Sequence, residues 1–134
     1  MSGTGVLLRG PSGAGKSDLA LRLIDAGARL VADDYVEIER HGDHLVARPP
    51  ITIAGMLEVR GIGVLNQDYL TSAPLGLIVD LVPAEAVERL PEVPPTEDVC
   101  GLAVRRLSLN PWEISAAAKV RLAVQVVTGN ILSL

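Results

Sequence analysis

The chain has 134 residues, a length that fits one domain with one core, and 49% of them are apolar. It contains no Phe, two Tyr and one Trp, so that core has to be built from Leu, Val, Ile and Ala. A formal charge of −4 excludes a general attraction to nucleic acid or to an anionic membrane, and no apolar run approaches the roughly 18 residues of a membrane-spanning helix.

Gly5–Arg9 predicts a first strand. It runs straight into Gly10-Pro11-Ser12-Gly13-Ala14-Gly15-Lys16-Ser17, a full G-x-x-x-x-G-K-S phosphate-binding loop. Gly10, Gly13 and Gly15 permit positive φ and close backbone approach, so successive N–H groups can face phosphate oxygens at a helix N-terminus. In that arrangement Lys16 sits on the β/γ-phosphates and the Ser17 hydroxyl reaches Mg²⁺, which predicts a nucleoside triphosphate as ligand. The helix spans Lys16–Ala26, with Leu19, Ala20, Leu23 and Ile24 on one face, and stops at Gly27. Arg29–Ala32 predicts a second strand that ends at Asp33-Asp34. Val36–Arg40 and Leu45–Arg48 read as hairpin arms around His41-Gly42-Asp43, which makes His41 and His44 solvated turn residues.

Leu57–Leu65 predicts a strand leading into a glycine-hinged loop. Leu75–Val82 is a continuous apolar run broken only by Asp80, the pattern of a central strand buried on both faces. Ala84–Arg89 predicts a short helix, and Pro91–Asp98, with three prolines and three acids, a surface loop. Cys100, the single cysteine, rules out an intrachain disulfide, suits a reducing cytoplasm and reads as a small buried apolar residue. Leu102–Leu109 is a further strand; Asn110-Pro111 then starts a last helix over Trp112–Thr128, closed by Gly129. That helix is apolar on nearly every side, so it is buried or shared between subunits. The order of elements predicts a three-layer α/β P-loop fold with a mixed sheet and an inserted β-hairpin, in one domain over 1–134.

A phosphate loop alone does not separate kinases from ATPases or GTPases; carboxylates that share Mg²⁺ with Ser17 or act on the nucleophile do. Three sets are candidates: Asp80 at the end of the apolar strand, Asp33 and Asp34 after the first helix, and Glu58 beside Arg60, Gly61 and Gly63. Adjacent Asp33 and Asp34 on a strand end point to opposite faces. One can hold a metal-bound water while the other, its pKa raised by repulsion, takes a proton from substrate.

Val31-Ala32-Asp33-Asp34 after the phosphate loop, with Leu57-Glu58-Val59-Arg60-Gly61-Ile62-Gly63-Val64-Leu65 further on, resembles the catalytic domain of the HPr kinase/phosphorylase family. The resemblance covers most of residues 5–82. It implies a PEP carboxykinase-like P-loop fold and an ATP- and Mg²⁺-dependent kinase that phosphorylates a serine of HPr, the phosphocarrier of the phosphotransferase system. It also implies the reverse phosphorolysis, which yields pyrophosphate. By position, Asp34 would be the proton acceptor, Lys16 would stabilise the transferred phosphate, Ser17 and Glu58 would hold Mg²⁺, Asp33 would support, and Arg60 belongs to the signature region. The family's hexamers imply a homo-oligomer in the cytoplasm that engages HPr and neither nucleic acid nor membrane.

The sequence departs from the family at three places. The separate N-terminal domain of long members is not expected here, so the chain resembles the short form that consists of the catalytic core. Only Met1–Thr4 stand where the family has a histidine in the strand before the loop. Gly101–Pro111 retains Arg105 and Arg106 but not the family's glycine- and arginine-rich loop. Two other functions fit the same residues: a P-loop kinase for a small metabolite, and a non-catalytic nucleotide-dependent regulator that binds a phosphocarrier protein.

Overall fold

Nine residues, Ala73–Leu81, apolar apart from Asp80, form the central strand, β6, of a curled mixed sheet. The computed structural model describes residues 3–11, 13–31, 36–50 and 54–128. β1 (Gly5–Arg9) and β8 (Leu102–Leu109) both pair with β6 in parallel. β2 (Glu37–His41) and β3 (His44–Arg48) form an antiparallel pair, and β3 joins the start of β6 through Val46–Pro74 and Ala47–Ala73. At the other side, β7 (Thr96–Val99) runs antiparallel to β8.

The period-2 alternation of strands sorts side chains onto the two faces of this sheet. Val6 and Leu8 of β1, Leu77, Val79 and Leu81 of β6, and Leu107 and Leu109 of β8 meet Leu19 and Leu23 of α1 (Lys16–Asp25) and Ala116, Val120 and Val124 of α2 (Ala116–Val127). The intervening residues Leu7, Ile78, Leu102 and Val104 point to the other face, where Ile38 and Leu45 of the β2–β3 pair cover them. Among the described residues both helices therefore lie on one face of the sheet. A smaller cluster of Leu30, Leu57 and Val59 under Ile24 fastens β4 (Met56–Val59) to α1.

Several elements match their sequence signals closely. α1 ends in a Schellman motif: Ala28 N–H donates to Leu23 O and Gly27 N–H to Ile24 O, both at 3.0 Å, with Gly27 at φ 106. His41 and His44 face each other across Gly42-Asp43, exposed as the turn reading requires. α2 buries only the stripe Ala116, Val120 and Val124, while Leu122 stays 54% exposed; packing selects one face of a helix whose composition suits any.

Other elements differ. Arg29–Ala32 contributes only an isolated parallel bridge, Leu30 to Tyr69, and Ala32 lies outside the described residues. The run Leu57–Leu65 is not one strand; it folds back at Arg60–Ile62 so that β4 and β5 (Gly63–Asn66) make a separate two-stranded sheet. Ala84–Arg89 yields a single 3-10 turn over Ala84–Ala86. The end of the proline-rich segment, read as loop, is β7, because Thr96–Val99 finds the open edge of β8. Cys100 is exposed rather than buried: with Gly101 it forms the β7–β8 turn, both at positive φ (52 and 86), the twist a tight hairpin needs. α2 begins four residues later than Trp112, and Gly129 lies outside the described residues.

Leu19→Ala, at a fully buried position of the helix-side core, should lower the unfolding free energy by about 3 kcal/mol in a urea titration. Leu90→Ala, at a site 81% exposed, should shift it by less than about 0.5 kcal/mol.

Candidate active site

β1 delivers the chain to the carboxyl edge of the parallel strands, the edge at which α/β sheets bind ligands, and the phosphate loop starts there. Gly13 (φ 82) and Gly15 (φ 94) take left-handed conformations, while Gly10 is not among the positive-φ glycines. Gly10 serves instead for close packing: a Cβ there would lie 3.0 Å from the Ala14 Cβ and 3.3 Å from that of Leu81. Ala14 N–H donates to Pro11 O at 3.0 Å, closing the turn. Gly15 is the N-cap of α1, and among the described residues no side-chain hydrogen bond caps the helix. The positive end of the helix dipole thus faces the loop. Lys16 and Ser17 are the first two residues of α1.

The β8–α2 connection approaches the same loop from the other side. Asn110 Oδ1 accepts from Trp112 N–H at 3.1 Å, and Arg22 of α1 donates to the carbonyls of Pro111 and Glu113. Arg22 is itself paired with Asp18 at 3.1 Å. The connection is therefore strapped to the helix that the phosphate loop starts. It places the Trp112 ring 3.2 Å from where a Gly15 Cβ would stand.

Beneath the loop, on the face opposite the helices, four charges meet. Arg9 donates to Asp80 through Nε (2.8 Å) and Nη2 (3.0 Å), and to Glu97 through Nη1 (2.5 Å) and Nη2 (2.7 Å). Arg106 lies 3.8 Å from Asp80 and 3.6 Å from Glu97. Arg9 and Asp80 are cross-strand partners, and Glu97 comes from β7. The hydrogen bond from Arg9 holds the Glu97 carboxyl below the usual carboxylate range, aided by the charges of Arg9 and Arg106 and opposed by desolvation. Asp80, one of the candidate metal ligands from sequence, thus has its carboxylate taken up by Arg9.

The remaining candidates are distributed as follows. Gly10, Pro11, Gly13, Ala14, Gly15, Lys16 and Ser17 form the β1–α1 loop and helix start; Ser12 lies outside the described residues. So do Asp33 and Asp34, although the segment leading to them is anchored by the bond from Leu70 N–H to Leu30 O (2.7 Å). Glu58 and Arg60 are exposed positions alternating with buried Leu57 and Val59, on the hairpin that packs on α1. Among the described residues no group of three His, Cys, Asp or Glu side chains is placed to hold a metal by itself. Sequence reasoning missed the Arg9 cluster and Trp112. A charged residue closing an apolar strand on the Leu7 face was the available signal for the first. The second had none, because Trp112 read as part of a helix.

Residues 1–132 match the family model described as the HPr serine kinase C-terminal domain. This chain belongs to that family. It is 38% identical over 141 residues to the HPr kinase/phosphorylase of Bordetella avium, which covers 97% of this chain and 45% of that protein. Over 65 residues it is 57% identical to the HPr kinase/phosphorylase of Halalkalibacterium halodurans, covering 48% of this chain and 21% of that protein. The HPr(Ser) kinase/phosphatase structure from Coxiella burnetii matches with a TM-score of 0.75 at 26% identity, covering 95% of this chain and 87% of that one. The chain spans less than half the length of the curated relatives it matches. In this family member, the phosphate loop and the hairpin carrying Glu58 and Arg60 are both built onto α1.

A carboxyl held low in the folded state adds stability that is fully present above its unfolded pKa, about 4.3 for Glu, and is lost as pH falls from there through its lower folded-state value. Glu97→Gln should therefore lower the melting temperature at neutral pH, with the gap to the parent narrowing as pH falls from about 5 to about 3. Thermal melts across that range check it; a constant gap at all pH values would mean that Arg9 does not hold the Glu97 carboxylate.

Proposed function

We propose that the chain is the catalytic domain, over 1–134, of an ATP-dependent protein kinase that phosphorylates a serine of HPr. The observation that carries this reading is the phosphate loop at the sheet's carboxyl edge, left-handed at Gly13 and Gly15 and handing directly to Lys16 at the start of α1. The names of the relatives, HPr kinase/phosphorylase, support the reaction and its protein substrate. The parallel core of β1, β6 and β8 supports assignment to the three-layer, PEP carboxykinase-like P-loop class. The β2–β3 pair is its inserted hairpin.

In this reading the N–H groups of the loop and Lys16 bind the phosphates of ATP, and Lys16 balances the charge of the phosphoryl group in transit. Asp34 accepts the proton from the serine hydroxyl as that oxygen attacks the γ-phosphorus and the bond to ADP breaks. Asp33 supports Asp34 beside the phosphates. Ser17 and Glu58 supply a hydroxyl and a carboxylate, oxygen donors suited to Mg²⁺, which neutralises phosphate charge when bound. Arg60, on the exposed side of the β4–β5 hairpin, stands with these groups as the signature arginine. In the reverse direction Asp34 returns the proton to the serine oxygen as inorganic phosphate takes up the phosphoryl group. The protein works as a homo-oligomer, a hexamer by its resemblance to the family, in the cytoplasm. No helix among the described residues is long and apolar enough to cross a membrane.

With γ-labelled ATP and purified HPr, label should pass to HPr and disappear in Asp34→Ala while ATP binding survives. Lys16→Ala should weaken ATP binding at least about tenfold by calorimetry, the loss of one charge-assisted contact. An Asp34→Ala protein that still labels HPr would overturn the assignment of the base, and unlabelled HPr with the parent chain would overturn the function.

A further inference from the structure

Trp112 is 66% exposed, although a tryptophan is among the side chains that gain most from burial. It is also the only tryptophan in the chain. Its surroundings hold it in place: Asn110 grips its backbone and Arg22 the carbonyls on either side. The ring lies against Gly15, where a Cβ would stand 3.2 Å from it and the ring would have to give by a few tenths of an ångström. Beside it opens a cavity of about 390 Å³, floored by Leu81 and Pro83 at the end of β6 and walled by Pro11 and Gly13 of the phosphate loop. Among the described residues, a Cβ at Gly13 would meet nothing within 4 Å. The volume falls in the range of small-ligand sites, and the lining is mostly apolar with Asn110 as a polar member.

A cavity that shares its wall with a phosphate loop and presents a fixed, uncovered aromatic ring suits the flat, partly polar ring of a nucleotide. We propose that Trp112 is the stacking platform for the nucleobase of the phosphoryl donor, with Asn110 at the edge of the base. The inference rests on the phosphate loop holding a nucleoside triphosphate. Base–aromatic stacking tolerates any base, so Trp112 contributes affinity for the base, and the polar edge discriminates among bases. The neighbours of the ring explain the late start of α2: residues 110–115 are held as turns so that the ring reaches the loop rather than lying along the helix.

The test uses the whole chain with ATP and with inorganic tripolyphosphate, which carries the phosphates and no base. ATP should change the emission of the single tryptophan. Trp112→Leu should weaken ATP binding by about tenfold, the effect of losing one stacked base, while tripolyphosphate binding changes less than about twofold; Trp112→Phe should restore most of the loss. If Trp112→Leu binds ATP as the parent does, the inference fails while the phosphate-loop reading stands. Equal weakening for both ligands also overturns it, because Trp112 would then act by shaping the loop. A parent chain that binds neither ligand removes this inference and the kinase reading together.

Discussion

β1, β6 and β8 run parallel and finish at one edge of the sheet, and the register between them is the constraint on which the site depends. β6 pairs with β1 through Arg9–Asp80 and with β8 through Leu81–Leu109. The phosphate loop leaves β1 at Gly10, and the Trp112 connection leaves β8 at Asn110. Both therefore start at the same level and meet over the end of β6. A shift of one residue in any of these strands would turn its apolar residues away from α1 and α2 and exchange the two faces. Burial of Leu77, Val79 and Leu81 against the helices thus holds the loop in place through the strand that enters it.

The same alternation explains why charge collects below the loop. Arg9, Asp80 and Arg106 follow Leu7, Ile78 and Val104 on the face away from the helices, where the apolar cluster runs out at the sheet edge. Arg9 hydrogen-bonds both carboxylates there, while Arg106 stands at ion-pair distance from them with its Nε buried and without a hydrogen-bond partner among the described residues. A lone carboxylate at Asp80 would be a free donor for a metal. Bidentate pairing with Arg9 ties it to the sheet end instead.

Legibility in the sequence followed the range of the interactions. The loop motif, the first helix with its glycine stop, the β2–β3 hairpin and the strand Leu102–Leu109 were readable because each is governed by contacts within a few residues. The family signature was likewise a local string. β7 was not readable: Thr96–Val99 sits among prolines and acids, and only the open edge of β8 makes it a strand. The β4–β5 pair was half readable, since Gly61 and Gly63 signalled a break, but pairing of its arms and docking on Ile24 are long-range.

The sequence by itself determined that a glycine-rich loop opens a helix and that the helix stops at Gly27, because turn and helix preferences act over a single turn of chain. Tertiary structure alone decided that Asp80 pairs with Arg9, that Cys100 lies on the surface, and that Trp112 arrives beside Gly15. Those outcomes depend on residues tens of positions apart being brought together by the register of a buried sheet, which no local preference encodes.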